Sequence, residues 1–187
     1  MDKVLIRFPV VGQDIFNQVD DKTLSNCRYV CKFWCNFLDN GSLFWQRRIH
    51  KFTENQVEFS SHWKIATKKA PIGILKKLAI AVEEYFTLHP KDLDNQLSPL
   101  HILGVQGITS LYDHIAKHIG VVNPTCIKDG WTPIHFASLE GHLEIIKYIA
   151  EYLEDKNPAT HDGVTPLHFA AFKGDCQGRL SNTYRVI

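Results

Sequence analysis

The chain has 187 residues, 44% of them hydrophobic and 22% charged, which is the composition of an ordinary soluble globular protein and excludes a disordered or collagen-like one. Its 21 Lys and Arg balance 20 Asp and Glu, and the counts also nearly balance in residues 1–60, 61–96 and 97–187, so no nucleic-acid binding is predicted. No apolar stretch approaches the roughly 20 residues that span a bilayer, and the N-terminal apolar run is too short for a signal peptide. We therefore expect an intracellular protein, cytoplasmic or nuclear, with no membrane partner.

Three of the five cysteines, Cys27, Cys31 and Cys35, recur at four-residue steps and so form one stripe on a helix. A thiolate metal site is the alternative interpretation, but it lacks a C-x-x-C turn and a fourth ligand. The stripe therefore predicts buried thiols in a helical core. No metal or cofactor is expected.

Residues 8–50 form a run of apolar residues and turn signals that predicts three or four short helices. Asp20 can cap one helix, Asn40-Gly41 gives a turn, and Ser42 can cap a last helix through Arg48. So short a module buries little surface and is marginal alone. It needs a partner or the adjoining part of the chain.

The same residues resemble the F-box. The family pattern has a hydrophobic-Pro opening, an Ile/Leu-rich first helix, an Asp-x-x-x-Leu step, a Val-Cys-Lys-x-Trp segment and a terminal Leu-x-Trp. It is matched in order by Phe8-Pro9, Ile15 to Val19, Asp20 to Leu24, Val30 to Trp34, and Leu43 to Trp45. Phe8 and Val19 depart from the commoner Leu, but both remain apolar.

The resemblance implies docking to the Skp adaptor, which attaches such proteins to a cullin-RING ubiquitin ligase. The matching adaptor-binding positions are Phe8, Pro9, Ile15, Phe16, Val19, Leu24, Val30 and Trp34. Apart from the family, a small Phe- and Trp-rich module with little core is a candidate interface. The alternative is that Trp34 and Trp45 belong to the internal core; we favour the core for Trp45 and Cys31, and the interface for Phe8 and Pro9.

For residues 63–90 the sequence predicts an imperfect first copy of the 33- or 34-residue repeat that occupies the rest of the chain. Gly73 precedes Gly107 by 34 residues, and an i, i+3, i+4, i+7 apolar face is formed by Leu75, Leu78, Ala79 and Val82. No cap motif or Asp-Gly turn precedes this unit. Such degeneracy is expected of an N-terminal capping repeat, one side of which has no neighbour.

Residues 91–176 contain a repeat of 33 or 34 residues. The segments beginning at Ser98, Thr132 and Thr165 each have a hydroxyl residue followed by Pro, Leu or Ile, and His, and Gly107, Gly141 and Gly174 follow at a fixed distance. The hydroxyl and the proline favour a helix start, and the glycine favours a left-handed turn into a second helix. The second helices have the apolar faces Ile108, Leu111, Tyr112, Ile115 and Leu143, Ile146, Ile149, Ala150, Leu153.

This pattern resembles the ankyrin repeat, since it contains the T-P-L-H-x-A motif and Gly141-His142. The recurring histidines could suggest a metal or a catalytic base, but one His in each stacked unit is better explained by hydrogen bonds to backbone and to the neighbouring hydroxyl. His114 and His118 are metal-capable at i and i+4, but they lack a third ligand. We expect them on an exposed helix surface.

The last unit lacks its second apolar helix, and residues 177–187 are predicted to be an irregular tail that leaves Leu167, Ala170 and Phe172 partly uncovered. The predicted fold is thus all-α, with a small F-box three-helix module at 8–50, a capping unit at 63–90, and an ankyrin-repeat solenoid whose last repeat is incomplete.

The two modules together predict the substrate-recognition subunit of a Skp-cullin-F-box ubiquitin ligase that binds a target protein. The alternative is an ankyrin-repeat interaction scaffold without ligase engagement. The expected target-binding surface consists of hairpin tips and first helices, at Asp129, Trp131, Ser138, Asp162, Val164 and Lys173. No phosphate loop, nucleophile elbow or H-E-x-x-H motif occurs, so we do not expect an enzyme.

Overall fold

The fold comes from a computed structural model, which describes residue 23, residues 42–68 and residues 70–177. These residues are helical apart from turns and loops, and no strand occurs among them. The helices are α1 (Ser42–Thr53), α2 (Ser60–Lys68), α3 (Ile72–Leu88), α4 (Pro99–Gln106), α5 (Thr109–Ile119), α6 (Pro133–Glu140), α7 (Leu143–Ala150) and α8 (Pro166–Gln177). A short 3-10 helix, Pro90–Asp94, lies between α3 and α4. The all-α prediction is confirmed for this part of the chain.

The helix α1 runs five residues beyond the predicted end at Arg48. Its buried residues Phe44, Trp45 and Ile49 continue to half-buried Phe52, so the apolar face extends past that point. This face lies against α3, where Phe52 and Phe86 stack with ring centroids 5.9 Å apart and planes 5° apart. Trp45 is 4% exposed, which confirms its predicted place in the core.

The helices α2 and α3 occupy the predicted capping segment. The expected face of α3 is buried, since Leu75, Leu78, Ala79 and Val82 are each at most 2% exposed. The predicted equivalence of Gly73 and Gly107 is wrong, however. Gly73 lies in the first turn of α3, whereas Gly107 ends α4 with φ at 73°.

Two complete helix pairs, α4 with α5 and α6 with α7, follow as predicted. The first helices α4, α6 and α8 pack side by side, and α5 and α7 form a second layer. Gly107 and Gly141 adopt the predicted left-handed conformation, with φ at 73° and 77°. Close packing between the layers buries Leu111, Tyr112, Ile115, Ile146 and Ile149.

The third unit departs from the predicted turn at Gly174, because α8 continues through this residue to Gln177. Phe172 is 65% exposed, as expected for an uncovered residue, and Leu167 is half-buried. Ala170 is 1% exposed, so the expectation that it would be uncovered is wrong; α8 lies against α6.

The loop between α1 and α2 is tied to the first repeat by hydrogen bonds that link residues far apart in sequence. The fully buried Gln56 accepts a hydrogen bond from the Leu97 backbone N–H at 2.5 Å, and the Glu58 N–H donates to Gln96 Oε1 at 2.9 Å. The indole Nε1–H of Trp63 donates to the Leu97 carbonyl at 2.9 Å. These contacts hold the loop and α2 against the start of the repeat stack.

Candidate protein-interaction surface

The predicted adaptor-binding residues all lie outside the described residues: Phe8, Pro9, Ile15, Phe16, Val19, Leu24, Val30 and Trp34. The cysteine stripe of Cys27, Cys31 and Cys35 also lies outside them. The adaptor-binding assignments remain predictions.

The histidine of each motif closes the start of its helix, as predicted. The Ser98 backbone N–H donates to His101 Nδ1 at 3.0 Å, and the Leu100 N–H donates to Ser98 Oγ at 3.2 Å. Thr132 and His135 repeat the arrangement, with the Thr132 N–H donating to Nδ1 at 3.2 Å. Since Nδ1 accepts in both motifs, the proton of the neutral ring lies on Nε2.

That Nε2 proton is used to join one repeat to the next. His101 Nε2 lies 3.3 Å from the Trp131 carbonyl, and His135 Nε2 lies 3.0 Å from the Pro158 carbonyl. Burial lowers the pKa of His101 to about 3 and also lowers the pKa of His135, so both rings stay neutral near pH 7. The histidines thus position the hairpin turns of the following repeats.

The hairpin tips present acidic side chains to solvent. Asp129 and Asp162 are exposed, and each precedes a glycine with positive φ, 73° at Gly130 and 77° at Gly163. The His161 N–H donates to the Asp129 carbonyl at 3.2 Å, which sets the two tips side by side. The predicted target-binding residues Asp129 and Asp162 therefore lie together on an accessible edge.

Trp131 is half-buried and belongs to a cluster of aromatic rings that crosses two repeats. Its ring centroid lies 4.9 Å from that of Phe136 and 4.7 Å from that of Phe169. Its ring therefore joins α6 to α8, and only part of it can reach a partner. Val164, at the equivalent position of the next repeat, is also half-buried.

The predicted contact at Ser138 is wrong. This side chain is 1% exposed, and its Oγ has no hydrogen-bond partner within the described part of the chain. It lies on the buried face of α6, which packs against both α4 and α8. Lys173, in contrast, is half-buried at the surface and forms a 2.9 Å ion pair with Glu140 of the preceding repeat.

The sequence predicted that Phe172 would be partly uncovered, but it did not assign this residue, which adjoins Lys173, to the target-binding surface. The sequence did contain a signal for this role. Phe172 lies two residues before the glycine of its motif, and the same position in the earlier repeats is occupied by half-buried Leu139 and Val105. These three apolar residues recur beside Gln106, Glu140 and Lys173. The first helices therefore present an apolar row next to a polar one.

The described residues offer little sign of a metal site. No group of three or more His, Cys, Asp or Glu side chains there could hold a metal ion. His118 is exposed, as predicted, but His114 is only half-buried; its carbonyl lies 2.7 Å from His118 Nδ1 and the two ring centroids are 4.4 Å apart. No described helix is both long and apolar enough to cross a membrane.

Stacked helix pairs with projecting hairpin turns and a recurrent surface row define a solenoid protein of the kind that binds other proteins. A family model of ankyrin repeats in three copies matches residues 100–180, and a model of F-box-like domains matches residues 9–51. No curated protein matches the chain. The chain is an F-box protein with C-terminal ankyrin repeats, two modules that serve protein interaction.

Proposed function

We propose that this protein is the substrate-recognition subunit of a Skp-cullin-F-box ubiquitin ligase. The F-box docks to the Skp adaptor, and the ankyrin repeats hold a target protein. Its mechanism is proximity: a target held near a ubiquitin-loaded enzyme reacts faster because its effective concentration rises. The chain itself supplies no chemistry.

The observation that carries the proposal is the packing between the end of the F-box-like match and the repeat region. The helix α1 lies almost wholly within residues 9–51 and packs on α3, which in turn contacts α4. Arg48 of α1 forms an ion pair with Glu83 of α3, and Gln46 Nε2 donates to the Thr67 carbonyl at 2.9 Å. This packing supports a fixed distance between adaptor and target, which proximity catalysis requires.

We also propose that residues 63–90 act as the N-terminal capping unit of the solenoid. The helices α2 and α3 cover one side of the first repeat, since both contact α4 and α5. Without such a cover, the buried residues Leu100, Ile102 and Leu103 of α4 would lose neighbours.

The target-binding surface in this proposal is the edge formed by the hairpin tips and the adjoining first-helix row. Asp129 and Asp162 supply negative charge, and Phe172 supplies an apolar contact. Lys173, Trp131 and Val164 border them. Exposed aromatic residues beside charge are typical contributors to binding energy.

Adaptor docking is tested by co-purification of the full-length chain with the Skp adaptor. We expect wild type to retain the adaptor, and Pro9→Ala with Trp34→Ala to lose most of it, because both positions match the family's docking surface. Phe172→Ala is the matched control and should retain the adaptor. Folded wild-type protein that captures no adaptor would favour the scaffold function instead.

Target binding is tested by proximity labelling in cells with wild type and Asp129→Lys/Asp162→Lys. Reversing two exposed charges should remove the labelled target while leaving adaptor co-purification unchanged. These positions are better probes than Trp131, because replacing that ring would also disturb the packing of α6 on α8. An unchanged set of labelled proteins would contradict the assignment of this edge.

A further inference from the structure

A basic groove runs between α1 and α2. One cavity of about 410 Å³ is lined by residues of both helices, including Arg47, His50, Trp63 and Lys64. A second, of about 630 Å³, adjoins it along α2 and shares three lining residues, Gln46, Lys64 and Thr67. The two cavities form one continuous groove, of a size that suits several side chains of a ligand.

The outer wall of this groove is a single stripe on α2. It is formed by Ser61, Lys64, Ile65 and Lys68, which lie at i, i+3, i+4 and i+7 and so share one face of the helix. The opposite side of α2 is buried through Trp63 and Ala66. The stripe is therefore held in a fixed orientation by the core behind it.

The groove is positively charged. Lys64 and Lys68 are exposed, and neither has an ion-pair partner within the ranges that the structure describes. Among the described residues that line the two cavities, the single acidic one is Glu54, whose Oε1 lies 3.6 Å from His50 Nδ1. The local sequence agrees, because residues 42–77 carry eight Lys or Arg and two Glu. This excess of positive charge is not visible in the counts for residues 1–60 and 61–96, because the boundary between those windows divides it.

The groove is also partly apolar, because Ile65 is 43% exposed in the middle of the stripe. The aromatic ring in its lining, that of Trp63, is 4% exposed and so offers no platform for stacking bases. A single exposed aliphatic side chain is also too little to anchor in a lipid surface. These features favour a peptide over a nucleic acid or a membrane.

We propose that this groove binds an extended acidic peptide segment of a partner protein. One helical turn separates Lys64 from Lys68 by about 6 Å along the axis. Alternate residues of an extended strand lie on one side and are about 7 Å apart, so carboxylates at positions i and i+2 can face the two ammonium groups. The exposed side chain of Ile65 lies between the two lysines and can contact the aliphatic parts of the two acidic side chains. The proposal does not depend on the ligase function.

The test measures binding of a fluorescein-labelled peptide, Gly-Glu-Ser-Glu-Ser-Leu-Gly, to the full-length protein by fluorescence anisotropy. Lys64→Glu/Lys68→Glu should weaken binding about tenfold or more, and raising the salt concentration several-fold should also weaken it. The matched control, Lys147→Glu/Lys156→Glu, makes the same change in net charge at exposed sites that do not line the groove and should leave binding unchanged. Thermal unfolding of each variant confirms that the chain is folded.

Three results would overturn the proposal. The first is no binding of the peptide by folded wild type. The second is an equal loss in the two double variants, which would indicate attraction by net charge alone. The third is binding of single-stranded RNA or phosphatidylserine vesicles that is stronger than peptide binding and lost in Lys64→Glu/Lys68→Glu.

Discussion

His101 shows how one side chain can define both a helix start and a junction between repeats. Its Nδ1 accepts from the backbone of Ser98, and its Nε2 faces the carbonyl of Trp131. The first contact needs a neutral ring, because a protonated Nδ1 cannot accept a hydrogen bond. The sequence predicted the hydroxyl and backbone contacts because they are local, but not which carbonyl of the next repeat would be reached.

The buried ring makes stability depend on pH. The ordinary pKa of 6.5 applies in the unfolded chain, whereas burial lowers the pKa of folded His101 to about 3. Between these values the unfolded state binds more protons, so the free energy of unfolding falls as pH falls, by up to about 1.4 kcal/mol per pH unit. Above pH 6.5 this contribution no longer changes.

Urea unfolding at several pH values checks this expectation. We expect His101→Gln to show a shallower loss of stability between about pH 6 and pH 4 than wild type. The matched control is His168→Gln, which replaces the exposed ring of the third motif; an equal change of slope in both variants would show that the effect does not depend on burial. Identical slopes for wild type and His101→Gln would show that this ring is not the buried titrating group.

At the scale of elements, the repeat helices α4 and α6 pack so closely that one added methyl group is expected to lower stability. A Cβ added to Gly104 of α4 would lie 2.8 Å from the Pro133 carbonyl oxygen of α6. We expect Gly104→Ala to lower the free energy of unfolding by about 1–3 kcal/mol, because the two backbones must move apart. Chemical denaturation measures the change.

Gly73→Ala is the matched control for that substitution. It lies in the first turn of α3 with no atom within 4 Å of the added Cβ, and its φ is not positive. Replacing it should be neutral or stabilise the fold by up to about 1 kcal/mol. Equal destabilisation by both substitutions would contradict the close approach of α4 and α6.

The elements also show where sequence reasoning succeeds and where it fails. Helix starts at Ser98 and Thr132 and the turns at Gly107 and Gly141 were predictable, because each depends on residues within one repeat. The burial of Ser138 was not, since it depends on the packing of the stack around α6. Gln56 was missed for a similar reason: its partner is 41 residues away.

At the scale of the whole molecule, the end of the F-box-like match and the repeat region share one hydrophobic core, which includes Phe44, Leu78, Leu100 and Ile146. The junction between α1 and α3 also contains the ion pair of Arg48 and Glu83, whose side chains are 6% and 29% exposed. Removing one member of a largely buried pair costs more free energy than removing one member of an exposed pair.

Glu83→Ala should therefore lower the free energy of unfolding by about 2–4 kcal/mol and should increase proteolysis within α1. Glu144→Ala, which breaks the exposed pair with Lys147, should cost less than about 0.5 kcal/mol and is the control. Limited proteolysis with mass spectrometry locates the cleavage. Unchanged protection of α1 in Glu83→Ala would argue against a junction held by this pair.

The inter-repeat histidine bonds have a direction, since each ring reaches forward to the repeat that follows it. The Nε2 contact of His101 is made to the second unit and that of His135 to the third. The hydrogen bonds of exposed His168 within the described residues are made to Thr165 of its own cap. If the third unit opens, His135 Nε2–H therefore loses its acceptor, the Pro158 carbonyl, whereas the contact of His101 with the Trp131 carbonyl can persist. We expect unfolding that begins at the third unit to break these contacts one at a time, starting with that of His135.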